Sequence, residues 1–251
     1  MDNFSGARSP IFIASDLHAG ATPAAQSEAF TAWLRRAREN ADRIILNGDL
    51  FDFWCEYRRG HSKGHEELLR ELSRTVTGGV PVTLIAGNHD WWGGRHLEEE
   101  VGLEYLKEPL EFTVGGRTVL VAHGDRCGRG DLTYRLLAPL LRSGPVPRAF
   151  RALPPGIGDR LAGLVSGSRR RSGPGKGELA RSAALREWAL EELARRTELD
   201  LVVLGHAHVP ESVSLGTGRR YINCGDWVYH RTYVVLGEGK PELRHWDGEN
   251  V

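Results

Sequence analysis

The chain has 251 residues, and 40% of them are hydrophobic, which suffices for one substantial core and leaves little room for a second full domain. Its 33 basic and 33 acidic residues balance, so no net charge draws it to nucleic acid or to an anionic membrane. The three cysteines are an odd number at wide spacing, which suits neither a disulfide framework nor a zinc knuckle and indicates a reducing compartment. We therefore expect one α/β or α+β domain over residues 1–251, with no nucleic-acid partner.

The N-terminal ten residues carry one arginine and no apolar run, which is unlike a signal peptide. No stretch of about 18 consecutive apolar residues occurs anywhere in the chain, so a membrane-spanning helix is not expected. These features predict a cytoplasmic protein. A peripheral contact with the inner face of a membrane is compatible with them.

Strand-like apolar runs alternate with helical segments from residue 11 onward. The runs are Ile11–Ala14, Ile44–Leu46, Val82–Ile85, Val119–Ala122 and Leu201–Leu204, each followed within two residues by Asp, His, Gly or Asn. Helical spacing places two apolar sets on single faces, namely Phe30, Trp33, Leu34 and Ala37, and then Leu68, Leu69, Leu72 and Val76. This alternation predicts a layered α/β sheet with ligands bound at the carboxyl ends of its strands.

Later segments have the pattern of antiparallel strands. Glu111–Val114 and Arg117–Val121, separated by two glycines, predict a hairpin. Further strands of this kind are expected at Tyr221–Cys224, Thr232–Leu236 and Glu242–Trp246. The predicted fold is a four-layer α/β-β/α sandwich of two mixed sheets flanked by helices.

An inserted helical subdomain is predicted at about residues 127–177. Leucine-rich pieces there are interrupted by five prolines, and the segment ends in a basic, glycine-rich stretch before a regular helix from Glu178 to about Arg196. Two interpretations stay open: a small satellite core of packed helices, or a cap with an apolar groove that a ligand completes.

Five short clusters rich in metal-ligating residues follow the predicted strands. They are Asp16-Leu17-His18, Gly48-Asp49, Gly87-Asn88-His89-Asp90, His123-Gly124-Asp125 and Gly205-His206-Ala207-His208. Residues two apart on an extended strand end point the same way, so Asp16 with His18, and His206 with His208, are expected to share one locus. Each cluster alone is a weak signal, but all five in order after strands indicate a metal centre.

The type and number of donors predict two ions. Imidazole and carboxylate without thiolate suit Mn, Zn, Fe or Co, and Mn is our first choice. Seven candidate ligands are too many for one ion, whereas two ions sharing a carboxylate at roughly 3.5–4 Å would use them all and would clamp a phosphoryl group.

These motifs resemble the calcineurin-like metallophosphoesterases, whose pattern D-x-H, G-D, G-N-H-[DE], H and G-H-x-H is complete here. The resemblance covers nearly the whole chain. It implies one metal on Asp16, His18, Asp49 and His208, and the other on Asp49, Asn88, His123 and His206, with Asp49 as the bridge.

The resemblance also implies a catalytic role for His89, which would bond a phosphoryl oxygen or protonate the leaving group. Asp90 would then orient the His89 ring. The alternative for Asp90 is a carboxylate that only stabilises a turn or caps a helix.

Further details look like the UDP-2,3-diacylglucosamine hydrolases of lipid A synthesis within that superfamily. These details are Gly48–Trp54, His123-Gly124-Asp125, the leucine-rich insert, and Asn223-Cys224-Gly225-Asp226-Trp227. The likeness implies that the insert is a cap holding acyl chains, and we add Asp125, Arg169 and Lys176 as candidate substrate contacts. Many members of that branch have Arg where this chain has His89.

Three functions are therefore weighed. The first is hydrolysis of the pyrophosphate bond of UDP-2,3-diacylglucosamine to UMP and 2,3-diacylglucosamine 1-phosphate, by hydroxide formed between two cations. The second is a phosphodiesterase or phosphatase for another nucleotide-containing substrate. The third is a non-catalytic interaction module on the same fold, which the complete ligand set argues against.

Overall fold

Two six-stranded sheets form the framework of the protein. The computed structural model describes residues 2–3, 10–128, 138–142, 144–165, 175–216, 218–249 and 251. Sheet I contains, in spatial order, β12 (Glu242–His245), β11 (Thr232–Leu236), β2 (Ile11–Ala14), β3 (Arg43–Asn47), β4 (Val82–Ile85) and β5 (Glu104–Leu106). Its four strands from β2 to β5 are parallel, and β11 joins β2 in the antiparallel direction.

Sheet II combines parallel and antiparallel pairs. It contains, in spatial order, β1 (Asp2–Asn3), β6 (Leu110–Val114), β7 (Arg117–Val121), β8 (Leu201–Leu204), β10 (Arg220–Asn223) and β9 (Glu211–Ser214). Strands β7, β8 and β10 run parallel, so their carboxyl ends lie at one edge of the sheet.

The described helices flank the sheets or follow β7. They are α1 (Ala24–Asn40), α2 (Glu66–Thr77), a one-turn π-helix (His96–Val101), α3 (Pro145–Arg151), α4 (Pro155–Val165) and α5 (Lys176–Arg195), with a short helical segment at 138–142. None of them combines the length and the apolar character that crossing a bilayer requires.

Three apolar cores separate the layers. The first packs α1 and α2, through residues such as Trp33 and Leu72, on sheet I. The second lies between the two sheets and includes Ile13 and Val203, and the third packs α5, through Leu185, on sheet II. Successive side chains of a central strand point to opposite faces of its sheet, so each strand contributes to two cores. This explains why the central strands are apolar on both faces.

The four-layer sandwich predicted from the sequence is confirmed, with one difference in strand direction. The glycine hairpin is present, because Gly115 and Gly116 adopt φ of 54° and 73° between β6 and β7. The strand at Tyr221–Cys224 was expected to be antiparallel, but β10 pairs in parallel with β8 and only its other edge is antiparallel. The chain returns through β9 between β8 and β10, and a connection of this length allows the two strands to run parallel.

The insert is described in part. Leu132, Leu136 and Leu137 of its predicted leucine-rich pieces, and the basic residues Arg169–Arg171, lie outside the described residues. In the described part, the large side chains with high exposure cluster in or beside the insert: Leu140, Leu141, Ile157, Leu161 and Leu179. Such a concentration of exposed apolar area is typical of a binding surface.

Candidate metal centre

The candidate ligands meet where parallel strands of both sheets end. Asp16, Asp49 and Asn88 follow β2, β3 and β4 of sheet I, while His123 and His206 follow β7 and β8 of sheet II. Because the two sheets face each other across one core, the two sets of loops lie against each other.

The backbone of these loops is unusual. Six described non-glycine residues have positive φ, and five of them are candidate ligands: Asp16 (57°), His18 (49°), Asp49 (52°), His206 (64°) and His208 (58°). Left-handed backbone in non-glycine residues is uncommon and clusters at functional sites. The convergence therefore comes from left-handed turns after the strands, and the expectation of an extended strand end was wrong.

Asp16, His18 and His208 form the first group. His18 Nε2 lies 3.2 Å from His208 Nε2, and Asp16 Oδ1 lies 3.3 Å from His208 Nε2 and 3.9 Å from His18 Nε2. The other carboxylate oxygen of Asp16 is held by the backbone N–H of His206 at 2.9 Å. One oxygen is thus fixed while the other faces the two imidazoles.

Asp49 lies between this group and a second one. Its Oδ2 is 3.7 Å from His18 Nε2 and 3.2 Å from His123 Nε2, and it can share a metal ion with His123 and His206. Its Oδ1 accepts the backbone N–H of His89 at 3.0 Å. This placement suits a carboxylate shared by two ions.

Several buried ligand atoms lack a hydrogen-bond partner in the described part of the chain. They include Asp16 Oδ1, Asn88 Oδ1 and His123 Nε2. A buried polar atom without a partner costs about 1–3 kcal/mol, so this set of ligand atoms needs an occupant to satisfy it. Divalent cations with a preference for imidazole and oxygen donors fit this set.

Two glycines make the close approach of the loops possible. A Cβ on Gly87 would lie 2.2 Å from Asp49 Oδ1, and one on Gly205 would lie 2.1 Å from Ser15 Oγ. Any larger residue at either position would push a loop away from the ligands.

His89 is held by Asp52, which the sequence had not indicated. Its Nδ1 lies 2.5 Å from the Asp52 carbonyl oxygen and 3.9 Å from the Asp52 carboxylate. The Asp90 carboxylate instead accepts the backbone N–H groups of Leu50 (2.9 Å) and Gly87 (2.6 Å). The expected contact of Asp90 with the His89 ring is therefore wrong, and Asp90 ties together the loops after β3 and β4. The sequence offered one sign of this role, because Asp52 is a carboxylate only three residues after the candidate ligand Asp49.

Two further groups support the ligand rings. The Asn47 carbonyl oxygen lies 2.8 Å from His123 Nδ1, and the Asp226 carboxylate lies 3.4 Å from His208 Nδ1. Asp226 had been quoted only as part of a family-like motif. Sequence spacing gave no signal for the Asn47 contact, because a main-chain carbonyl makes it.

Charges in the site set the protonation states. Burial would raise the pKa of the Asp49 carboxyl, but His123 and His89 hold it well below its ordinary value. Burial, together with the charges of His123 and Arg181, lowers the pKa of His206 well below its usual range. An ionised Asp49 and a neutral His206 are the forms that bind a metal ion. Burial lowers the pKa of His123, but the charge on Asp49 raises it well above its ordinary value, so His123 has to lose a proton when it binds an ion.

The pKa of His89 is shifted upward. Burial lowers it, but the charge on Asp49 and the hydrogen bond to Asp52 together raise it above the ordinary value. Burial and then the charge on Asp49 raise the pKa of the Asp90 carboxyl to about 7.

Comparison with known proteins assigns the family. The model of the calcineurin-like phosphoesterases matches residues 9–210. The chain belongs to this family. A UDP-2,3-diacylglucosamine hydrolase of Porphyromonas gingivalis is 31% identical over 97% of this chain and 96% of its own length. One of Yersinia enterocolitica is 26% identical over 94% of this chain and 98% of that protein.

A solved structure supports the fold. GAP50, the anchor in the inner membrane complex of Plasmodium, has a TM-score of 0.50 and 14% identity, covering 97% of this chain and 87% of that one. Membership of the calcineurin-like phosphoesterases makes the chain a metal-dependent phosphoester hydrolase, and the alternative of a non-catalytic module is set aside.

The three predicted substrate residues lie in different settings. Asp125 is buried in an ion pair with Arg142, whose guanidinium lies 3.9 Å from the centre of the Trp91 ring. Lys176 is exposed at the start of α5, and Arg169 lies outside the described residues. The Asp125 carboxylate thus links the loop after β7 to the insert.

Proposed function

We propose that this phosphoesterase hydrolyses the pyrophosphate bond of UDP-2,3-diacylglucosamine, giving UMP and 2,3-diacylglucosamine 1-phosphate. The choice of this substrate is supported by the match to the Porphyromonas gingivalis hydrolase. That protein is named for this compound and aligns over 97% of the chain, insert included. Similarity confined to the metal motifs would support only the general chemistry.

Seven side chains would hold two divalent cations. Asp16, His18, Asp49 and His208 would bind one, and Asp49, Asn88, His123 and His206 the other, with manganese as the proposed metal. Bound cations would lower the pKa of water toward neutrality and neutralise charge on phosphoryl oxygens. The support for this set is the group of buried, partnerless ligand atoms around Asp49.

His89 would act on the leaving group. Its Nδ1 is occupied by the Asp52 carbonyl oxygen, which leaves Nε2 to face the substrate. In that position the imidazole would donate a hydrogen bond or a proton to an oxygen of the diphosphate. Asp52 would keep the ring in this orientation, and Asp90 would keep the two loops together.

The insert would bind the acyl chains. Its exposed residues Ile157 and Leu161 offer apolar area, and hydrogen bonds and ion pairs anchor the described part of the segment to the body. Asp159 accepts hydrogen bonds from Tyr57 Oη (2.7 Å) and Ser62 Oγ (2.9 Å), and Arg142 pairs with Asp125. An anchored apolar surface next to the loops that carry the candidate ligands is suited to a diacylated sugar. It would also permit a peripheral contact with the inner face of the membrane, from a cytoplasmic location.

Product analysis tests the proposal. The protein is incubated with Mn²⁺ and UDP-2,3-diacylglucosamine, and the products are separated by mass spectrometry. We expect UMP and the lipid 1-phosphate, and no reaction after chelation. Turnover of other nucleotide diesters with none of this substrate would replace the proposal by the second function, a phosphodiesterase or phosphatase for another nucleotide.

A further inference from the structure

The end of β10 and the loop that follows it, residues 223–230, lie against the first group of candidate ligands. We propose that Asp226 in this loop is a positioning residue that fixes the ring orientation and tautomer of His208, and thereby controls the affinity of one of the two metal positions. The inference rests on the two-ion function proposed above. It concerns a residue outside the seven ligands.

The contact between Asp226 and His208 joins two atoms that lack other partners. Asp226 Oδ2 and His208 Nδ1 are 3.4 Å apart, both atoms are buried although the His208 side chain is 15% exposed, and neither atom makes a hydrogen bond in the described part of the chain. Nδ1 is on the side of the imidazole away from Nε2, which faces Asp16 and His18. A carboxylate behind a ligand imidazole is a recurrent way of orienting it.

The remaining oxygen of Asp226 is committed to the loop. Asp226 Oδ1 accepts the backbone N–H groups of Tyr229 (2.8 Å) and His230 (2.9 Å). The carboxylate therefore keeps its position whatever His208 does. Oδ2 is the oxygen left to serve the ring.

Further hydrogen bonds fix this segment to the strand ends that carry the candidate ligands. The Asn223 side-chain amide donates a hydrogen bond to the Gly205 carbonyl oxygen at 2.9 Å, and the backbone N–H of Trp227 donates one to the Asp16 carbonyl oxygen at 3.0 Å. Gly205 precedes His206, so the loop contacts the backbone of two ligand segments. Asp226 is thus presented to His208 by a rigid support.

The tautomer of His208 follows from this contact. An ionised carboxylate only accepts hydrogen bonds, so Nδ1 must carry the proton when Oδ2 faces it. The lone pair is then on Nε2, where a cation can use it. Without the carboxylate the ring could place its proton on Nε2, and that form cannot bind the metal.

The support differs between the two ligand groups. In the first group His208 is backed by the Asp226 carboxylate, and His18 Nδ1 lies 3.8 Å from the Asp52 carboxylate. In the second group His123 Nδ1 lies at a neutral acceptor, the Asn47 carbonyl oxygen. Loss of Asp226 should therefore weaken one ion and spare the other.

Asp226→Asn separates positioning from loop structure. The asparagine oxygen can still accept from Tyr229 and His230, but its NH₂ group then faces His208 Nδ1 and repels the N–H tautomer. Asp200→Asn is the matched control, because Asp200 also accepts a backbone N–H (Thr118, 2.8 Å) and lies at the opposite end of β8. His230→Ala is a second control, which removes only the ring 3.3 Å from Oδ1.

The measurement is calorimetric titration of the metal-free proteins with Mn²⁺, with metal content after dialysis and melting temperatures of the metal-free forms. In Asp226→Asn we expect one of two binding steps to weaken about 10–100-fold and the other to stay within about threefold. The metal-free melting temperature should stay within about 4 °C of wild type. Asp200→Asn and His230→Ala should leave both binding steps unchanged.

Two results would overturn the inference: unchanged affinity in Asp226→Asn, or equal loss at both steps with a large fall in the metal-free melting temperature. The second would assign Asp226 to loop structure alone. The wild-type stoichiometry separately tests the function proposed above. A wild type that binds one ion contradicts the two-ion proposal, while the ratio of variant to wild-type affinity still tests Asp226.

Discussion

At the strand ends five of the seven candidate ligands are buried and backbone N–H groups hold the carboxylates of Asp16 and Asp49, whereas the insert exposes large apolar side chains such as Ile157 and Leu161. The first region is determined by the sheets, because its loops must meet where parallel strands end. The second is joined to the loops after β3 and β4 by side-chain and main-chain contacts, such as Asp159 with Tyr57 and Arg151 with the Trp92 carbonyl oxygen.

This contrast assigns different tasks to the two regions. Buried, preorganised donors suit chemistry, since they cost no rearrangement when charge develops. An exposed apolar surface outside the strand ends suits substrate choice, since it can differ between relatives without disturbing the candidate ligands. Changes at the strand ends should therefore reduce activity on every substrate, and changes in the insert should act on lipid substrates alone.

The largest effect is expected at Asp49. Asp49→Asn should lower the rate by at least about 10³-fold on small and lipid substrates alike. A neutral amide cannot replace the charge of a carboxylate shared by two cations, and the two cations together would lower the pKa of the attacking water by several units. Asn88→Ala, which affects one ion, should cost clearly less. Steady-state rates with a chromogenic phosphodiester and with UDP-2,3-diacylglucosamine measure both. Equal losses in the two variants would contradict a bridging role for Asp49.

His89 is expected to come next. His89→Ala and His89→Asn should lower the rate roughly 10²–10⁴-fold if the ring is a general acid. Metal content should barely change, although the ring is close enough to His18 and Asp49 to share a metal ion with them. Metal analysis beside single-turnover rates checks this. Loss of one ion would reassign His89 as a ligand, and an unchanged rate would remove it from the mechanism.

The insert should give a smaller and selective effect. Ile157→Ser and Leu161→Ser should raise KM for the diacylated substrate about 10-fold or more, since burying such a side chain contributes about 1.5–3 kcal/mol. Hydrolysis of the chromogenic diester should stay within about twofold of wild type. Ile157→Leu, which keeps the apolar area, is the matched control. Equal losses on both substrates would show that the insert stabilises the candidate metal centre itself and does not act on lipid substrates alone.

Lys176 should have the smallest effect. An exposed ammonium at the start of α5 contributes about 0.2–1 kcal/mol to an ion pair, so Lys176→Ala should raise KM by no more than about fivefold for the diphosphate substrate. The effect should diminish at high salt. A salt-independent change of kcat would argue that Lys176 acts in another way.

The sequence predicted the sandwich well because its strands are strongly marked. Ile11–Ala14, Val82–Ile85 and Leu201–Leu204 agree with the observed bounds, since buried parallel strands are nearly continuous apolar runs. Short elements such as β5 and β9 were missed, because three or four residues with mixed polarity give no period to detect.

The candidate ligands could be identified from the sequence, but the contacts that support them could not. The motifs are local, so the sequence displays Asp16, His18 and the other candidate ligands directly. The Asp52 carbonyl oxygen holds the His89 ring, and the Asp226 carboxylate lies beside the His208 ring, although both pairs are remote in sequence. These contacts depend on left-handed turns, which residue types do not reveal. The mistaken role for Asp90 has the same origin, since adjacency to His89 along the chain does not imply contact between the side chains.

Electron paramagnetic resonance of the manganese-loaded protein tests the central claim most directly. If strand ends of both sheets form one centre around Asp49, the chain binds two Mn²⁺ at roughly 3.5–4 Å, and their spectrum shows exchange coupling. Asp49→Asn should abolish that coupling. A single Mn²⁺ per fully active chain, or two ions with the separate six-line signals of isolated Mn²⁺, would contradict the account.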